Sequence, residues 1–531
     1  MPKLKPEPFV IEINEQFKHA LDIIENTPKS AFITGRAGTG KSTLLDYFRR
    51  NTRKRVVVLA PTGVAALNVK GQTIHSFFKF KPNVTLSMVK KLQAAAEGGT
   101  IYQKLDAIVI DEISMVRADL LDCVDKFLRL NGPSPEEPFG GIQMIFIGDL
   151  YQLPPVITKL EKAEFKQLYK TPYFYSSRAF DGLNMEFIEL EKIYRQHDPE
   201  FIQLLNTVRN KSITYAGLEL LNQRFNPTFE PPPGDFYVYL TTTNELASTI
   251  NKRRLSQLDS PQRTFIGEIE GDFGDEYLPT AIELQVKIGA QIMMLNNDAD
   301  NRWVNGTLGE ITGITRDKNG DCLIIAGLPD GEVEIEPFTW EIYRFQVKGG
   351  TLQSEVVGTF TQYPLMLAWA ITIHKSQGKT FEKVVIDIGK GTFAHGQIYV
   401  ALSRCTTLEG IVLRRPILKK HIWTDFQVMD FLTRYQYRKS EKRLSLDDRL
   451  EIIRRAIKNA SLLRITYLKP TDEKSERTVR PHTVGEMEYQ GKTYLGLRAF
   501  CLKRNEDRTF RVDRILDIKE MPAAEQELAG D

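Results

Sequence analysis

The sequence has few residues of the kinds that bind metals or form disulfides. It contains four cysteines and seven histidines in 531 residues, and their spacing matches neither a zinc site nor a disulfide framework. It also lacks an excess of charge, because Lys and Arg total 71 and Asp and Glu total 68, for a net charge of +3. No apolar run approaches the roughly 18 residues of a membrane helix, and the N-terminus has no apolar signal region. We therefore expect a reduced, cytoplasmic protein in which any basic surface for a nucleic acid is local.

The length exceeds what one hydrophobic core supports, since single domains usually hold about 100–200 residues. Between residues 30 and 150, short β-branched segments alternate with helical ones, and their sequences are AFIT, VVVLA, AIVID and MIFIG. Strands that are apolar on both faces are typical of a buried parallel sheet, whose functional residues follow the carboxyl ends of the strands. The pattern predicts an α/β protein with its chemistry just after these segments.

Changes in composition along the chain predict three domains. Short strands with frequent glycine indicate a small β-barrel inserted in the second domain, and an arginine- and lysine-rich stretch is interpreted as a solvated linker. The predicted divisions are a first lobe at 1–200 with a small insertion at about 62–105, a second lobe at 201–435 with the β-barrel at about 296–362, the linker within 412–443, and a third domain at 441–531.

The most specific motif is the glycine-rich segment GRAGTGKS, which runs from Gly35 to Ser42 and fits the pattern G-x-x-x-x-G-K-[ST]. Backbone N–H groups of such a loop surround a β-phosphate, the lysine ammonium reaches the β- and γ-phosphate oxygens, and the serine hydroxyl binds magnesium. A strand precedes the motif and a helix follows it, as a phosphate loop requires. The residues predicted to bind the nucleotide here are Gly35, Gly38, Thr39, Gly40, Lys41, Ser42 and Thr43.

Magnesium also needs a carboxylate, and two strand ends offer one. Asp111 and Glu112 follow AIVI, so Asp111 is assigned to the metal and Glu112 to activation of the attacking water. Asp149 follows MIFIG and remains the alternative metal ligand. Gln16 is a candidate for the adenine contact, with a plain helix-surface glutamine as the alternative. A guanine-reading N-K-x-D segment does not occur in the sequence.

Further segments occur in a fixed order: LAPTGVAALNVKGQTIHSFF (59–78), FGGIQMIFIGDLYQLPPV (139–156), EKIYRQ (191–196), AITIHKSQGKTF (370–381) and YVALSRC (399–405). Together they resemble the PIF (petite integration frequency) family of superfamily-one DNA helicases, with RecD-like helicases as near relatives, over about residues 10–430. The resemblance implies two RecA-like lobes that bind ATP and magnesium in the cleft between them. It also implies 5′-to-3′ movement on single-stranded DNA with unwinding of duplex.

The same resemblance assigns roles to individual residues. Gln152 is expected to contact the γ-phosphate, and Arg195 and Arg404 are expected to stabilise charge on the transferred phosphoryl group. Gly378 and Lys379 are expected near the nucleotide. The residues expected to contact single-stranded, tailed or forked DNA are Pro61, Thr62, His75, Phe77, His374 and Lys375. The alternatives are structural: a loop glutamine, ordinary ion pairs for the arginines, and core positions for the rings.

The C-terminal segments LLRITYL, RTVRPHTV, KTYLGLRAF and RTFRVDRI resemble a WYL domain, which is a small Sm-like β-barrel. The resemblance implies a nucleic-acid-type ligand and a regulatory role, with Tyr494, Arg498, Arg511 and Arg514 as candidate ligand residues. Thr493 departs from the family, which usually has Trp at this position. A solvated face of alternating arginines is the alternative.

The predicted function is therefore an ATP-dependent DNA helicase that is monomeric in the absence of DNA. Two alternatives stay open: a DNA translocase that separates strands poorly, and a DNA-binding regulator in which hydrolysis only resets affinity. Glu112, Gln152 and the two arginines argue against the regulator, because such residues serve turnover.

Overall fold

The computed structural model describes residues 13–92, 100–158, 161–316, 320, 322–348, 351–389, 391–392, 394–489 and 491–521. The chain divides into two compact units. The larger unit comprises Met1–Asn206 and Thr214–Trp423, and the smaller unit comprises Thr207–Ile213 and Thr424–Asp531. Within the described ranges, the helices are too short or too polar to cross a membrane.

The first lobe of the larger unit is a six-stranded sheet with helices. The strands are β1 Ser30–Gly35, β2 Val56–Ala60, β3 Gln72–Thr73, β4 Ala107–Ile110, β5 Gln143–Ile147 and β6 Met185–Leu190. The helices are α1 Glu15–Asn26, α2 Lys41–Asn51, α3 Gly63–Asn68, α4 Ile74–Phe78, α5 Ala118–Asn131, α6 Lys162–Leu168 and α7 Arg178–Asp181. The strand order is β3-β2-β4-β5-β1-β6, and every neighbouring pair is parallel.

Burial on both faces explains why these strands are continuous apolar runs. Every residue of β1, β4 and β5 is buried, and α1 and α2 pack against the sheet through Ile24, Leu44 and Phe48. The strands coincide with the segments from which the parallel sheet was predicted. Because the carboxyl ends of parallel strands meet at one edge, the residues that follow β1, β4 and β5 are brought together there.

The chain continues into a second lobe that carries a large insertion. The elements in chain order are α8 Pro199–Arg209, α9 Tyr215–Asn222, β7 Val238–Thr241, α10 Asn244–Ser256, β8 Arg263–Ile266, β9 Glu268–Gly271, β10 Glu283–Val286, β11 Gln291–Met294, β12 Leu308–Arg316, β13 Cys322–Leu328, β14 Gly331–Ile335, β15 Phe338–Lys348, β16 Thr351–Gln362, β17 Leu365–Leu367, β18 Ala370–Thr372, β19 Val384–Asp387, α11 Gln397–Leu402 and β20 Ile411–Leu413. The sheet of the second lobe has the order β18-β7-β19-β20 and is parallel.

The insertion runs from β8 to β17, and thus begins earlier in the chain than the stretch 296–362 where it was expected. It contains a two-stranded sheet (β10-β8), a five-stranded sheet (β14-β13-β12-β11-β17) and a three-stranded sheet (β15-β16-β9). The strands before residue 296 are only four residues long each, so they form no extended run that marks them in the sequence.

The three-stranded sheet packs on the first lobe at the segment that follows β2. Its Phe360 and Trp340 share a core with Ala66 of α3, and a side chain on Gly63 would place its Cβ 2.1 Å from the Glu276 carbonyl oxygen. Only glycine allows this approach. The insertion thereby holds the start of α3, where DNA contacts were predicted.

The smaller unit contains α12 Phe426–Arg443, α13 Leu446–Lys458, β21 Leu463–Leu468, β22 Lys474–Tyr489, β23 Lys492–Cys501, β24 Glu506–Arg511 and β25 Ile515–Glu520. The sheet order is β24-β23-β22-β21-β25, with antiparallel pairing. Arg209, at the end of α8, belongs to this unit and forms a buried ion pair with Asp472 at 3.7 Å. Gln436 of α12 also donates to Asp472, at 3.1 Å.

The linker interpretation was wrong over Phe426–Arg443, which is helix α12. Its charged residues conceal a buried set that includes Val428, Met429 and Leu432, at spacings that place them on one side of a helix. The Tyr437 hydroxyl donates to Leu468 O at 3.0 Å and the Ser440 hydroxyl to Leu516 O at 2.5 Å. The helix is therefore part of the smaller unit, which begins before residue 441.

A truncation should reveal this role of α12. A chain ending at residue 443 keeps the helix but lacks the carbonyls of β21 and β25 to which Tyr437 and Ser440 donate. We expect it to aggregate more and to unfold at a lower temperature than a chain ending at residue 423, because unsatisfied buried polar groups are costly. Size-exclusion chromatography and thermal unfolding measure both. Equal behaviour of the two truncated chains would contradict this assignment of α12.

Candidate active site

The phosphate loop connects β1 to α2 with two residues in the left-handed region. Gly38 has φ 80° and Gly40 has φ 84°, a conformation that favours glycine. Space is also short at Gly38, where an added Cβ would lie 2.6 Å from the Cβ of Arg195. The loop is therefore shaped by its own backbone and by the segment that carries Arg195.

Lys41 lies at the first position of α2, beside the carbonyls of its own loop. Its Nζ donates to Gly35 O at 2.8 Å and to Arg36 O at 3.0 Å. Burial lowers the pKa of Lys41, and the nearby carboxylates of Asp149, then Glu112 and Asp111, oppose this effect. A half-buried ammonium at a helix N-terminus is a favourable setting for phosphate oxygens.

The predicted carboxylates follow β4. Glu112 has φ 49° and ψ 41°, a conformation that costs energy for a residue with a side chain and occurs often at functional sites. Burial raises the pKa of Asp111, and the adjacent Glu112 raises it further. Burial also raises the pKa of Glu112, while Lys41 and Arg404 lower it. Two half-buried carboxyl groups in one place are stabilised by a bound cation.

These residues fit a magnesium ion. Within the described part of the chain, His, Cys, Asp and Glu form no group of three or more that could hold a metal alone. Magnesium is usually held by one or two carboxylates together with phosphate oxygens, and Ser42 and Asp111 offer that donor set. Asp149 is fully buried and accepts from Tyr151 N at 3.1 Å and from Gln152 Nε2 at 3.4 Å. These contacts favour an orienting role for Asp149 and leave Asp111 as the better ligand.

A cavity of about 620 Å³ joins these groups to both lobes. Loop residues, one carboxylate, two arginines and two aromatic rings line it. The lining residues are Phe17, Ala37, Gly38, Thr39, Gly40, Lys41, Ser42, Thr43, Glu112, Gln152, Tyr194, Arg195, Gly378, Thr380 and Arg404. The structure thus brings together most of the residues that were predicted to bind or hydrolyse the nucleotide.

Arg195 and Arg404 enter the cavity from different lobes. Arg404 is buried, and its guanidinium donates to Val400 O at 2.9 Å and to Ser403 Oγ at 3.0 Å. Arg195 donates to Ser403 O at 3.1 Å. Burial, followed by the charge of Arg195, lowers the pKa of Arg404 to about 9. Two neighbouring cations held by backbone and hydroxyl oxygens are suited to an anionic ligand.

Several contacts across the cleft were missed from the sequence. The Tyr399 hydroxyl accepts from Ala37 N at 2.9 Å, and Gln196 Nε2 donates to Ser403 O at 3.1 Å. His395 Nε2 lies 2.9 Å from Leu150 O. Most of these residues lie within the quoted motifs or beside them, yet Tyr and Gln carry no catalytic signature. The arginines and Gln152 were recognised, whereas Tyr399, Gln196 and His395 were not.

The predicted nucleotide residues outside the cavity lining have other partners. Gln16 donates to Glu191 Oε2 at 3.1 Å and accepts from Glu191 N at 2.8 Å, while the cavity is lined by the adjacent Phe17. The Lys379 ammonium donates to Asn305 Oδ1 at 2.5 Å, and burial lowers the pKa of Lys379 to about 8. Phe17 and Tyr194 offer ring surfaces that the sequence did not single out.

The predicted DNA contacts differ in exposure. Thr62 and Lys375 are exposed, and Pro61, His75 and His374 are half-buried. Burial lowers the pKa of both histidines, and Arg117 lowers that of His75 further.

Phe77 is buried instead. Its ring centroid lies 4.9 Å from that of Phe78 and 5.4 Å from that of Tyr102. Its contact with a base stays a prediction that requires the ring to leave this aromatic core.

In the smaller unit, two of the candidate ligand residues are in contact. The Arg511 guanidinium lies 5.3 Å from the centroid of the Tyr494 ring and donates twice to Asp513, at 3.0 and 2.6 Å. Arg511 is opposite Gly496 in the sheet, so Tyr494 and Arg498 share its face, because side chains alternate along a strand. Arg514 follows in the turn after β24.

The loop, the paired carboxyl groups and the arginines define a phosphate-loop nucleoside triphosphatase whose cleft lies between two RecA-like α/β lobes. A family profile described as PIF1-like helicase matches residues 12–216, and one described as WYL domain matches residues 448–520. The chain belongs to the PIF1-like helicase family.

Similar proteins cover most of the larger unit. Over 398 residues the chain is 31% identical to the ATP-dependent DNA helicase Pif1 of Campylobacter jejuni, covering 71% of this chain and 87% of that protein. It is 33% identical to human PIF1, covering 72% and 58% respectively. The solved structure of Bacteroides sp. Pif1 with ADP-AlF4 is 35% identical, covers 80% of this chain and 98% of that chain, and has a TM-score of 0.72. For Bacteroides Pif1 bound to ssDNA, at 34% identity and 81% and 98% coverage, the TM-score is 0.59.

Replacing Glu112 by Gln should separate nucleotide binding from hydrolysis. The amide keeps the shape of the side chain but cannot take a proton from water, so turnover should fall on the order of 10²–10⁴-fold while ATP binding persists. Steady-state ATPase and nucleotide titration measure the two effects. Glu136→Gln, at an exposed glutamate of the same lobe, is the control. Loss of nucleotide binding in Glu112→Gln would mean that Glu112 is structural.

Proposed function

We propose that this protein is an ATP-dependent DNA helicase that moves 5′-to-3′ along single-stranded DNA and unwinds duplex. The observation that carries the proposal is the cavity in which Lys41, Glu112 and two arginines from different lobes meet. Such a site couples hydrolysis to the relative position of the lobes, because the transferred phosphoryl group needs both sides. The Pif1 relatives carry the name ATP-dependent DNA helicase.

Each group has a separate task in turnover. The loop N–H groups and Lys41 bind the phosphates, Glu112 accepts the proton of the attacking water, and Gln152 contacts the γ-phosphate. Arg195 and Arg404 stabilise the charge that develops on the transferred group. Magnesium held by Ser42 and Asp111 would neutralise charge on the phosphate oxygens.

A route from the nucleotide to DNA runs through the segment after β18. The Arg404 Nη1 atom lies 3.5 Å from Ser376 O and 3.4 Å from Lys379 O. His374 and Lys375 stand immediately before Ser376. A shift of Arg404 during hydrolysis therefore moves the backbone that carries these predicted DNA contacts.

A second route reaches the first lobe. Lys379 donates to Asn305, whose Nδ2 lies 3.3 Å from Asn68 Oδ1 at the end of α3. Thr62 caps the start of the same helix by accepting from Ala65 N at 3.3 Å. The predicted DNA contacts on both lobes are thus joined through one lysine of the second lobe.

The finer features belong to the same proposal. The five-stranded sheets of the insertion and of the smaller unit would close into small barrels, consistent with their antiparallel order. Single-stranded, tailed and forked DNA are the proposed partners, supported by the solved structure of Bacteroides Pif1 bound to ssDNA and by one of Pif1 helicases that concerns DNA unwinding at forked dsDNA. We further propose that the protein is monomeric without DNA and acts in the cytoplasm.

The direction of movement is tested with duplexes that carry a 5′ or a 3′ single-stranded tail. We expect unwinding of the 5′-tailed duplex and none of the 3′-tailed one, because the protein loads on the tail and moves in one direction. A labelled strand released in the presence of ATP is the measurement. Lys41→Ala, which removes the phosphate-binding ammonium, is the control. Unwinding of only the 3′-tailed duplex would contradict the proposal.

We propose that the WYL-like region assists DNA binding or its regulation. Reversing charge at Arg511 and Arg514 to Glu should weaken binding of single-stranded DNA roughly five- to tenfold, because two phosphate contacts become repulsive. Fluorescence anisotropy on the full chain measures the affinity. Lys503→Glu with Arg504→Glu reverses two exposed charges of the same unit as the control. Unchanged DNA binding, unwinding and ATPase in the Arg511 and Arg514 variant would favour protein docking instead.

A further inference from the structure

Tyr399 contacts the phosphate loop from the opposite lobe. It lies on α11 and its side chain is buried, and its hydroxyl accepts from Ala37 N at 2.9 Å. Ala37 lines the nucleotide cavity. Phosphate loops bind phosphate oxygens through their backbone N–H groups. The Tyr399 hydroxyl therefore accepts from an N–H group of the kind that binds nucleotide phosphates.

The helix that carries Tyr399 is attached to the first lobe at its other end as well. Ser403 O, at the C-terminus of α11, accepts from Arg195 at 3.1 Å and from Gln196 at 3.1 Å. Arg404 is tied to the helix through Val400 O at 2.9 Å. Movement of α11 therefore changes the phosphate loop contact, the Arg195 contact and the position of Arg404 together.

The hydroxyl is also electrostatically matched to its surroundings. Burial lowers the pKa of Arg195 and of Arg404, and Tyr399 acts in the opposite direction on both. Tyr399 therefore lies within electrostatic range of both guanidiniums. Tyr399 thus accepts a hydrogen bond from the loop amide of Ala37 and interacts electrostatically with both arginines.

We propose that Tyr399 is a positioning residue for ATP hydrolysis, whose hydroxyl ties the phosphate loop to α11 so that the loop and the two arginines reach their catalytic arrangement together. The proposal rests on the ATPase activity proposed above. Tyr399 acts through Ala37, Arg195 and Arg404, so its loss should affect the transition state more than the binding of ATP.

The test uses the full chain with Tyr399→Phe, which removes only the hydroxyl, and Tyr399→Leu, which also removes the ring. Tyr169→Phe is the matched control, because Tyr169 is buried in the first lobe and its hydroxyl donates to Asp122 at 2.8 Å. Single-stranded-DNA-stimulated ATPase gives kcat and KM. Titrations with ADP and with ADP-AlF4 give ground-state and transition-state-analogue affinities, and thermal unfolding reports stability.

In Tyr399→Phe we expect kcat to fall about tenfold while KM for ATP changes less than about twofold. The preference for ADP-AlF4 over ADP should fall by a similar factor, with unchanged ADP affinity. The Tyr169→Phe control should match the wild type in each of these quantities.

Two results would overturn the proposal. Wild-type kcat in Tyr399→Phe together with a low kcat in Tyr399→Leu would assign the residue to ring packing alone. Equal losses of ADP and ADP-AlF4 affinity would make it an ordinary binding contact. Absence of DNA-stimulated turnover in the wild type counts against the proposed function, whereas the ratio of analogue affinities still decides the role of Tyr399.

Discussion

Charge held partly out of water at one edge of the six-stranded sheet is the constraint on which the site depends. The parallel ends of β1 and β4 bring the half-buried Lys41, Asp111 and Glu112 together, and desolvation lowers the pKa of Lys41 and raises the pKa values of Asp111 and Glu112. Each of these groups keeps its charge only because the neighbouring groups or a bound ligand carry the opposite charge. A nucleotide with magnesium supplies both signs of charge, so the charged groups of this edge are complementary to that ligand.

The second lobe completes this edge rather than adding a separate site. Tyr399 of α11 contacts the phosphate loop, Arg404 just after the helix lines the same cavity, and Arg195 of the first lobe donates to Ser403 O. Because these groups are polar and buried, they tolerate few arrangements of the two lobes. A ligand that changes the charge in the cleft therefore favours one arrangement over another, which is the requirement for converting hydrolysis into movement.

The parts of the site predicted from sequence are those in which local spacing and chemistry coincide. Gly38 and Lys41 belong to one continuous loop, and Glu112 directly follows a strand, so their positions depend on short-range geometry. Gln16 was a candidate from the sequence and Phe77 was assigned by resemblance, and the structure places each against another partner, Glu191 and Tyr102 respectively. The surroundings of such residues depend on which side chains pack against them, and the spacing of residues along the sequence does not predict this.

The helix Phe426–Arg443 shows the same limit in the fold. Its composition is that of a solvated segment, and its buried side becomes visible only when β21 and β25 lie beside it. By itself, the amino-acid sequence determined the parallel sheet, the phosphate loop and the set of charged residues, because these follow from periodicity and from contiguous motifs. Tertiary structure alone decided the contact between Tyr399 and Ala37 and the extent of the insertion, because these depend on residues hundreds of positions apart meeting in a packed interior.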